Sequence, residues 1–418
     1  MRTPIICSLE IGWITCKRKK YTAAKQPELC YNAAMSTPSP LQQLIMERIQ
    51  HAGQITFAEY MRMALYEPGL GYYVSGPPRM GWQGDYFTST DLADFFAHCM
   101  GRQLQQMWGQ LKQPIPFVVL EQGAGRGDLA PEIRSWAAQH APDFSAALDY
   151  RTTDIRTGQD AITRDTDQAQ QSDTPLASPF SSLRPSVVLS NELVDAFPVH
   201  IVEKRASQLY EVYVTLHEGR LYETLDEPSG PQVASYLDTY KIPWHSFDDG
   251  WRAEINLDAL QWMEQASGLL QEPSSQRKRR GFILTIDYGD KARALYTRKR
   301  PHGTLACYYQ HQLTERPLAR PGEQDITAHV NFTALINAAR QHGLRLHTFT
   351  TQRQWLTDLG IYEELEHLRT HEFAIIDTAR ATNQGQTALV QWYNLRQRVF
   401  SLTDSAGMGN FKVLILKR

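Results

Sequence analysis

The chain has 418 residues, 42% of them hydrophobic and 21% charged, with a formal net charge of -2, the balance of a globular protein long enough for one large α/β domain with an insertion or for two domains. So small a net charge argues against a chain-wide basic footprint for nucleic acid, and the run Arg277-Lys278-Arg279-Arg280 has the size of a solvated loop. No apolar stretch approaches the ~20 residues that cross a bilayer, and Cys7, Cys16, Cys30, Cys99 and Cys307 contain no CxxC pair, which argues against a disulfide framework or a metal site.

Residues 1–34 hold three of those cysteines and the basic run Lys17–Lys20, without apolar periodicity. Glu10 interrupts the apolar start and no small-residue cleavage site follows, so export is not expected. Met35-Ser-Thr-Pro-Ser-Pro then leads straight into a helical pattern, which makes residues 1–34 an extension that is either disordered or upstream of the true start. A mitochondrial transit peptide is the competing reading, weakened by Glu10 and Glu28. A cytoplasmic location is expected, with the mitochondrial matrix as the alternative.

Residues 35–115 are expected to form an N-terminal helical segment and a cofactor-covering loop. Leu44, Ile45, Ile49, Phe57, Tyr60, Met61 and Leu65 recur at helical spacing and Gly53-Gln54 breaks them, which predicts a helical hairpin. A core is expected over 116–200 and 281–418. Phe117–Leu120, Ser186–Ser190 and Phe282–Ile286 read as buried strands, Asp149–Thr153 as a poorer one, and 156–184 as a helix remnant plus loop. Strands separated by helical stretches predict a parallel sheet and a Rossmann-like α/β fold. Residues 201–280 are expected to be an inserted α+β subdomain on the substrate side, with a hairpin over Leu209–Leu216 and Leu221–Leu225. Phe411–Leu416 is expected to close the sheet.

The chemistry sits where the first core strand ends. Glu121-Gln-Gly123-Ala-Gly125-Arg-Gly127-Asp128 runs from a carboxylate through alternating glycines into a helix expected from about Asp128 to Gln139. Glycines let the backbone turn sharply and approach a ligand where a Cβ would clash. The spacing is not that of a dinucleotide fingerprint, and an acid at the helix start repels a pyrophosphate. A cationic sulfonium with an amino acid moiety fits better, pointing to S-adenosyl-L-methionine (SAM) over NAD. Asp154, at the end of the second strand, stands where an acid accepts hydrogen bonds from ribose hydroxyls.

At the end of the next buried strand come Asn191, Glu192 and Asp195. Ligands bind at the carboxyl ends of strands in open α/β sheets, so these residues either orient a methyl acceptor or cap the following turn. His329 is either a base, since an unperturbed imidazole titrates near pH 6.5, or a structural histidine. Asp85, Thr88 and Ser89 are expected to bring the N-terminal loop over the cofactor.

The chain resembles the MidA-like family of SAM-dependent methyltransferases, which includes the mitochondrial protein arginine methyltransferase of complex I assembly and many bacterial relatives. The segments that carry the resemblance are Gly84–Asp91, Leu120–Gly127, Asn191–His200, Ile286–Gly289, Gly303–Tyr308, Gly322–Phe332 and Met408–Val413. The resemblance covers roughly residues 40–418. Departures are Gln122 and Ala124 in the glycine loop, Asp154 in place of Glu, and Asn331 in place of Asp. The resemblance implies a class I methyltransferase core, SAM as cofactor, and a protein substrate methylated on arginine, with a respiratory-complex subunit as one candidate. A small-molecule N-methyltransferase and a non-catalytic SAM-binding assembly factor or chaperone are the alternatives.

Overall fold

Ser39 starts the first helix by accepting the Gln42 N–H on its hydroxyl at 3.2 Å, with Pro40 in the first turn. This helix, α1 (Pro40–Ala52), buries Leu41, Ile45 and Ile49 on one stripe and ends at Gly53. Strand β1 (Ile55–Thr56) follows, and the Thr56 hydroxyl accepts the Glu59 N–H to start α2 (Phe57–Tyr66). The break expected at Gly53-Gln54 lies between these two helices. The computed structural model describes residues 38–76, 93–155, 162–164, 184–271, 280–310 and 312–418, which apart from Pro38 belong to one compact unit, Ser39–Arg418. The extension over 1–34, Asp85, Thr88 and Ser89 lie outside the described residues.

The core continues with α3 (Ala93–Gln110), β2 (Phe117–Gln122), α4 (Leu129–His140), β3 (Leu148–Thr153), β4 (Ile162–Arg164) and β5 (Val187–Asn191). Next come β6 (His200–Arg205), β7 (Gln208–His217), β8 (Arg220–Asp226) and β9 (Arg252–Ile255), then β10 (Phe282–Asp287). Short strands β11 (Gly289–Asp290), β12 (Ala306–Tyr309), β13 (Gln312–Thr314), β14 (Asp325–Thr327) and β15 (Val330–Asn331) precede β16 (Arg345–Thr351) and β17 (Lys412–Lys417).

The main sheet has the order β16-β17-β10-β5-β2-β3-β4. Its centre is parallel, β10 on β5, β5 on β2 and β2 on β3. Two strands depart from the all-parallel expectation. β17 runs antiparallel between β10 and β16, and β4 pairs antiparallel with β3 where a helix remnant was expected. A buried apolar run reports that both faces are covered, but carries no strand direction. One face is covered by α3 and α4 through Phe96, Met100, Ile133 and Trp136. The other is covered by the helices Leu257–Leu269 and Phe332–Gln341 through Met263, Leu335 and Ala339.

A second sheet, β1-β7-β6-β9 with β8 on the outer side of β7, is built from the insertion. The β7–β8 hairpin pairs Glu211 with Asp226 through to His217 with Arg220. Its remaining strand comes from far away in the chain, since Ile55 pairs with Val214. Helices α1 and α2 pack on this sheet in a core of Ile45, Ile49, Phe57, Tyr60, Val212 and Val214.

Gly101 marks the closest approach of α3 to α4, because a Cβ there would lie 2.4 Å from Trp136 Cε3. Alanine gains roughly 1 kcal/mol of helix propensity, whereas displacing a buried indole costs about 1–3 kcal/mol. Gly101→Ala is expected to lower stability in urea unfolding; a variant as stable as the parent would show that the helices separate freely.

Candidate active site

The carboxyl ends of β2, β3 and β5 meet at the glycine turn. The Gly123 and Ala124 N–H groups both donate to the Thr153 carbonyl, at 2.9 and 3.2 Å, which pins the turn to the end of β3. Gly123 has φ +72° and Gly125 φ +59°, the left-handed region that side chains rarely adopt. At Gly123 a Cβ would also sit 2.7 Å from Leu193 Cδ1. The Gly125 N–H donates to Asp154 Oδ2 at 2.9 Å. Asp154 therefore has a role its sequence position did not reveal, holding the turn as well as facing the cavity.

Beyond the turn opens a cavity of about 1390 Å³. Gln122, Gly123, Gly125, Asp154 and Glu192 form its sheet side, α1 and α2 one wall, and the helix Leu257–Leu269 another. Glu47, Glu59, Glu67, Asp154, Glu192 and Asp258 line it, against Arg48 and Arg62. The two arginines pair with Glu59 at 2.6 Å and Asp258 at 2.8 Å, so the cavity keeps an excess of negative charge suited to a cation. Among the described residues no cluster of three or more His, Cys, Asp or Glu could hold a metal ion.

Two further departures from the family pattern, Gln122 and Asn331, have local roles. Gln122 Oε1 accepts the indole N–H of Trp262 at 2.9 Å, fastening a wall residue to the turn. Asn331 caps the helix Phe332–Gln341 by accepting the Ala334 N–H, and its amide donates to the Tyr236 hydroxyl. An aspartate could do the first but not the second.

Glu121 does not line the cavity. It is buried beneath the turn, where its carboxylate accepts the Tyr150 hydroxyl at 3.1 Å. Burial pushes its pKa up to about 7, with Asp154 and Asp128 adding to the rise and the Tyr150 hydrogen bond opposing it.

The four residues expected to carry catalysis are separated by the structure. Glu192 lines the cavity, with φ +49°. Asn191 is buried behind it and donates from Nδ2 to Glu192 Oε1 at 3.3 Å. Asp195 does not stand beside Glu192 as a second cavity carboxylate. A 3-10 turn over Val194–Ala196 directs it inward, where it accepts the Tyr288 hydroxyl at 2.6 Å and burial pushes its pKa up to about 6. His329 lies beyond Tyr288, against whose ring it packs, with its Nδ1 3.5 Å from an Arg300 nitrogen. Burial, then Arg300 and Lys412, push its pKa down to about 4, so it is neutral near pH 7, and it does not line the cavity. Residues that sequence reasoning missed include Tyr66, Phe197, Asp258 and Trp262. Helical periodicity separates inward from outward positions but does not show which outward positions another segment will face.

Fold and site together define a class, a Rossmann-like α/β methyltransferase that takes SAM. The glycine turn lines the cavity with positive φ at Gly123 and Gly125, and Asp154 stands at the adjoining strand end as an acceptor. A family model described as "Putative S-adenosyl-L-methionine-dependent methyltransferase" matches residues 99–350, and the chain belongs to that family. It is 26% identical to the Drosophila melanogaster homolog of mitochondrial protein arginine methyltransferase NDUFAF7, over 94% of this chain and 88% of the relative. The Rattus norvegicus protein of that name is 25% identical over 84% of this chain and 80% of its own length. A Burkholderia thailandensis protein crystallised with S-adenosyl-homocysteine superposes with a TM-score of 0.69 at 26% identity, covering 92% of this chain and 95% of that one.

Gly125→Val is expected to abolish SAM binding measured by calorimetry, because a β-branched residue is strained at φ +59° and fills the approach to the turn. Unchanged affinity would remove the turn from the cofactor site. A second expectation concerns pH. Glu121 is raised from 4.5 to about 7, so its contribution to stability is full below pH 4.5 and is lost as pH rises through about 7. Asp195, raised to about 6, acts in the same direction. His329, lowered from 6.5 to about 4, acts in the opposite direction up to about pH 6.5. The melting temperature of the parent should therefore fall between about pH 6.5 and pH 8, and Glu121→Gln should fall less steeply; equal slopes would contradict the assignment.

Proposed function

We propose that this chain transfers the methyl group of SAM to an arginine nitrogen of a protein. The observation that carries the reading is Glu192, a carboxylate at the carboxyl end of a central strand, on the wall of a cavity richer in carboxylates than in cations. A guanidinium remains protonated in water, with a pKa above ~12, and carboxylates hold it by charge-assisted hydrogen bonds. The names of the curated relatives support the same acceptor. They also support the mitochondrial alternative for location, whereas a respiratory-complex subunit as substrate rests on the family resemblance alone. The cavity exceeds the roughly 300–1,000 Å³ of common small-molecule sites, so an acceptor side chain has room beside the cofactor.

SAM, when bound, supplies a methyl group on a positively charged sulfur. What remains for the chain is alignment and removal of one proton. Glu192 orients the acceptor nitrogen and takes the proton that this nitrogen loses as the new C–N bond forms and the methyl–sulfur bond breaks, the neutral thioether being the leaving group. Asn191 steadies Glu192 through the hydrogen bond from Nδ2. Asp195 supports the same turn from within the fold, and His329, neutral and outside the cavity, takes no part in this scheme.

The test is transfer of a labelled methyl group from SAM to peptides presenting arginine or lysine, with the product mapped by mass spectrometry. Arginine should be labelled. Glu192→Gln should keep SAM affinity within about two-fold while slowing transfer by ~10²-fold or more. Transfer to small amines alone would favour the small-molecule alternative, and SAM binding without any transfer would favour the non-catalytic one. Transfer by Glu192→Gln at the parental rate would make Glu192 a structural cap.

A further inference from the structure

Glu192 adopts a backbone conformation that a non-glycine residue reaches only at a cost, with φ +49°. Such a residue persists where its surroundings hold it from both sides. On the amino side, the Glu192 N–H donates to the carbonyl of Ile286 at 2.9 Å, one step beyond the last β5–β10 pair, Asn191 with Ile286. On the carboxyl side, Val194 and Asp195 donate their N–H groups to Asp287 Oδ2 at 2.9 and 3.3 Å. Both tethers thus end on two consecutive residues of β10. The other oxygen, Asp287 Oδ1, accepts the N–H of Tyr288 at 2.9 Å.

Asp287 is completely buried, and a carboxylate there pays for its desolvation beside two further acids, Asp195 and Glu192. Three backbone donors converge on it, and they require acceptors at both ends of the side chain. An amide offers an acceptor at one end only. Whichever way an asparagine is turned, its NH2 group faces an N–H donor. An asparagine therefore does not reproduce the arrangement, although an apolar side chain would avoid the desolvation altogether.

We propose that Asp287 is a positioning residue: by fastening the turn that follows β5, it keeps Glu192 in its left-handed conformation and its carboxylate on the cavity wall. The proposal rests on the reading of Glu192 given above. Loss of the carboxyl-side tether frees Glu192 to relax to negative φ, which swings its side chain away from the acceptor. Displacements of about 1 Å at a reacting centre cost up to ~10²-fold in rate. Leu193 of this turn packs beside Gly123, but the glycine turn donates its own hydrogen bonds to the Thr153 carbonyl and Asp154 rather than to Asp287, so the cofactor cradle keeps its hold.

The experiment is a double-mutant cycle on the full chain, with Asp287→Asn, Glu192→Gln and the pair, reading SAM affinity, transfer rate at saturating SAM and melting temperature. Asp287→Asn should slow transfer at least ~10-fold with SAM affinity within about two-fold. In the Glu192→Gln background it should slow transfer no further, because the group it positions is already neutralised. Asp287→Asn with a lowered melting temperature but a parental rate overturns the proposal. So does an Asp287→Asn effect of equal size with and without Glu192→Gln, since Asp287 would then act by another route. Failure of the underlying reading looks different: Glu192→Gln alone transfers at the parental rate. If Asp287→Asn does not fold, Asp287→Ser, which keeps one acceptor in a smaller volume, is put through the same cycle.

Discussion

Parallel pairing of β2 with β3 on one side and with β5 on the other brings three chain reversals to one edge of the sheet, and the site is made of those reversals. In an antiparallel sheet, neighbouring strands would point their carboxyl ends in opposite directions. Here the ends of β2, β3 and β5 deliver Gly123, Asp154 and Glu192 to the same crevice, with the glycine turn hydrogen-bonded to the end of β3 and Glu192 to β10. The Thr153 carbonyl holds the glycine turn, and Leu193 fills the space beside Gly123 that a side chain would otherwise occupy. Cofactor cradle and acceptor wall are therefore adjoining parts of one arrangement.

Charge is sorted by depth around this edge. Carboxylates that face the cavity outnumber its arginines and create a field for a cation. Carboxylates just behind it, Glu121, Asp195 and Asp287, are buried and their pKa values are raised by desolvation. They serve backbone and tyrosine donors. Two acids three residues apart, Glu192 and Asp195, thus do different work because a single 3-10 turn points one outward and the other in.

The central strands, the helical hairpin and the glycine turn were legible in the sequence, because each rests on a local pattern: an apolar run, a 3.6-residue spacing, or glycines that must take positive φ. The direction of β17 was not, since burial on both faces looks the same for either orientation. For Asp195 and His329 the sequence left a catalytic and a structural role both open, for a related reason. Proximity in sequence to Glu192, or to a motif, does not give the direction of a side chain after a turn. The double role of Asp154 was also hidden, because it depends on a hydrogen bond to Gly125 across 29 residues. Nor could the pattern show that the N-terminal helices and the insertion share a core.

That shared core bears on how the protein is made. Ile55 finds its partner in Val214, so α1 and α2 leave the ribosome with apolar stripes whose covering surface is about 160 residues behind. At synthesis rates of ~5–20 residues per second, the wait is on the order of ten seconds or more. Throughout that time the stripe of Ile45, Ile49, Phe57 and Tyr60 is bare, an open target for chaperones or for another nascent chain. This wall of the cavity is thus made before the strands that cover it and stays open until the insertion has been synthesised.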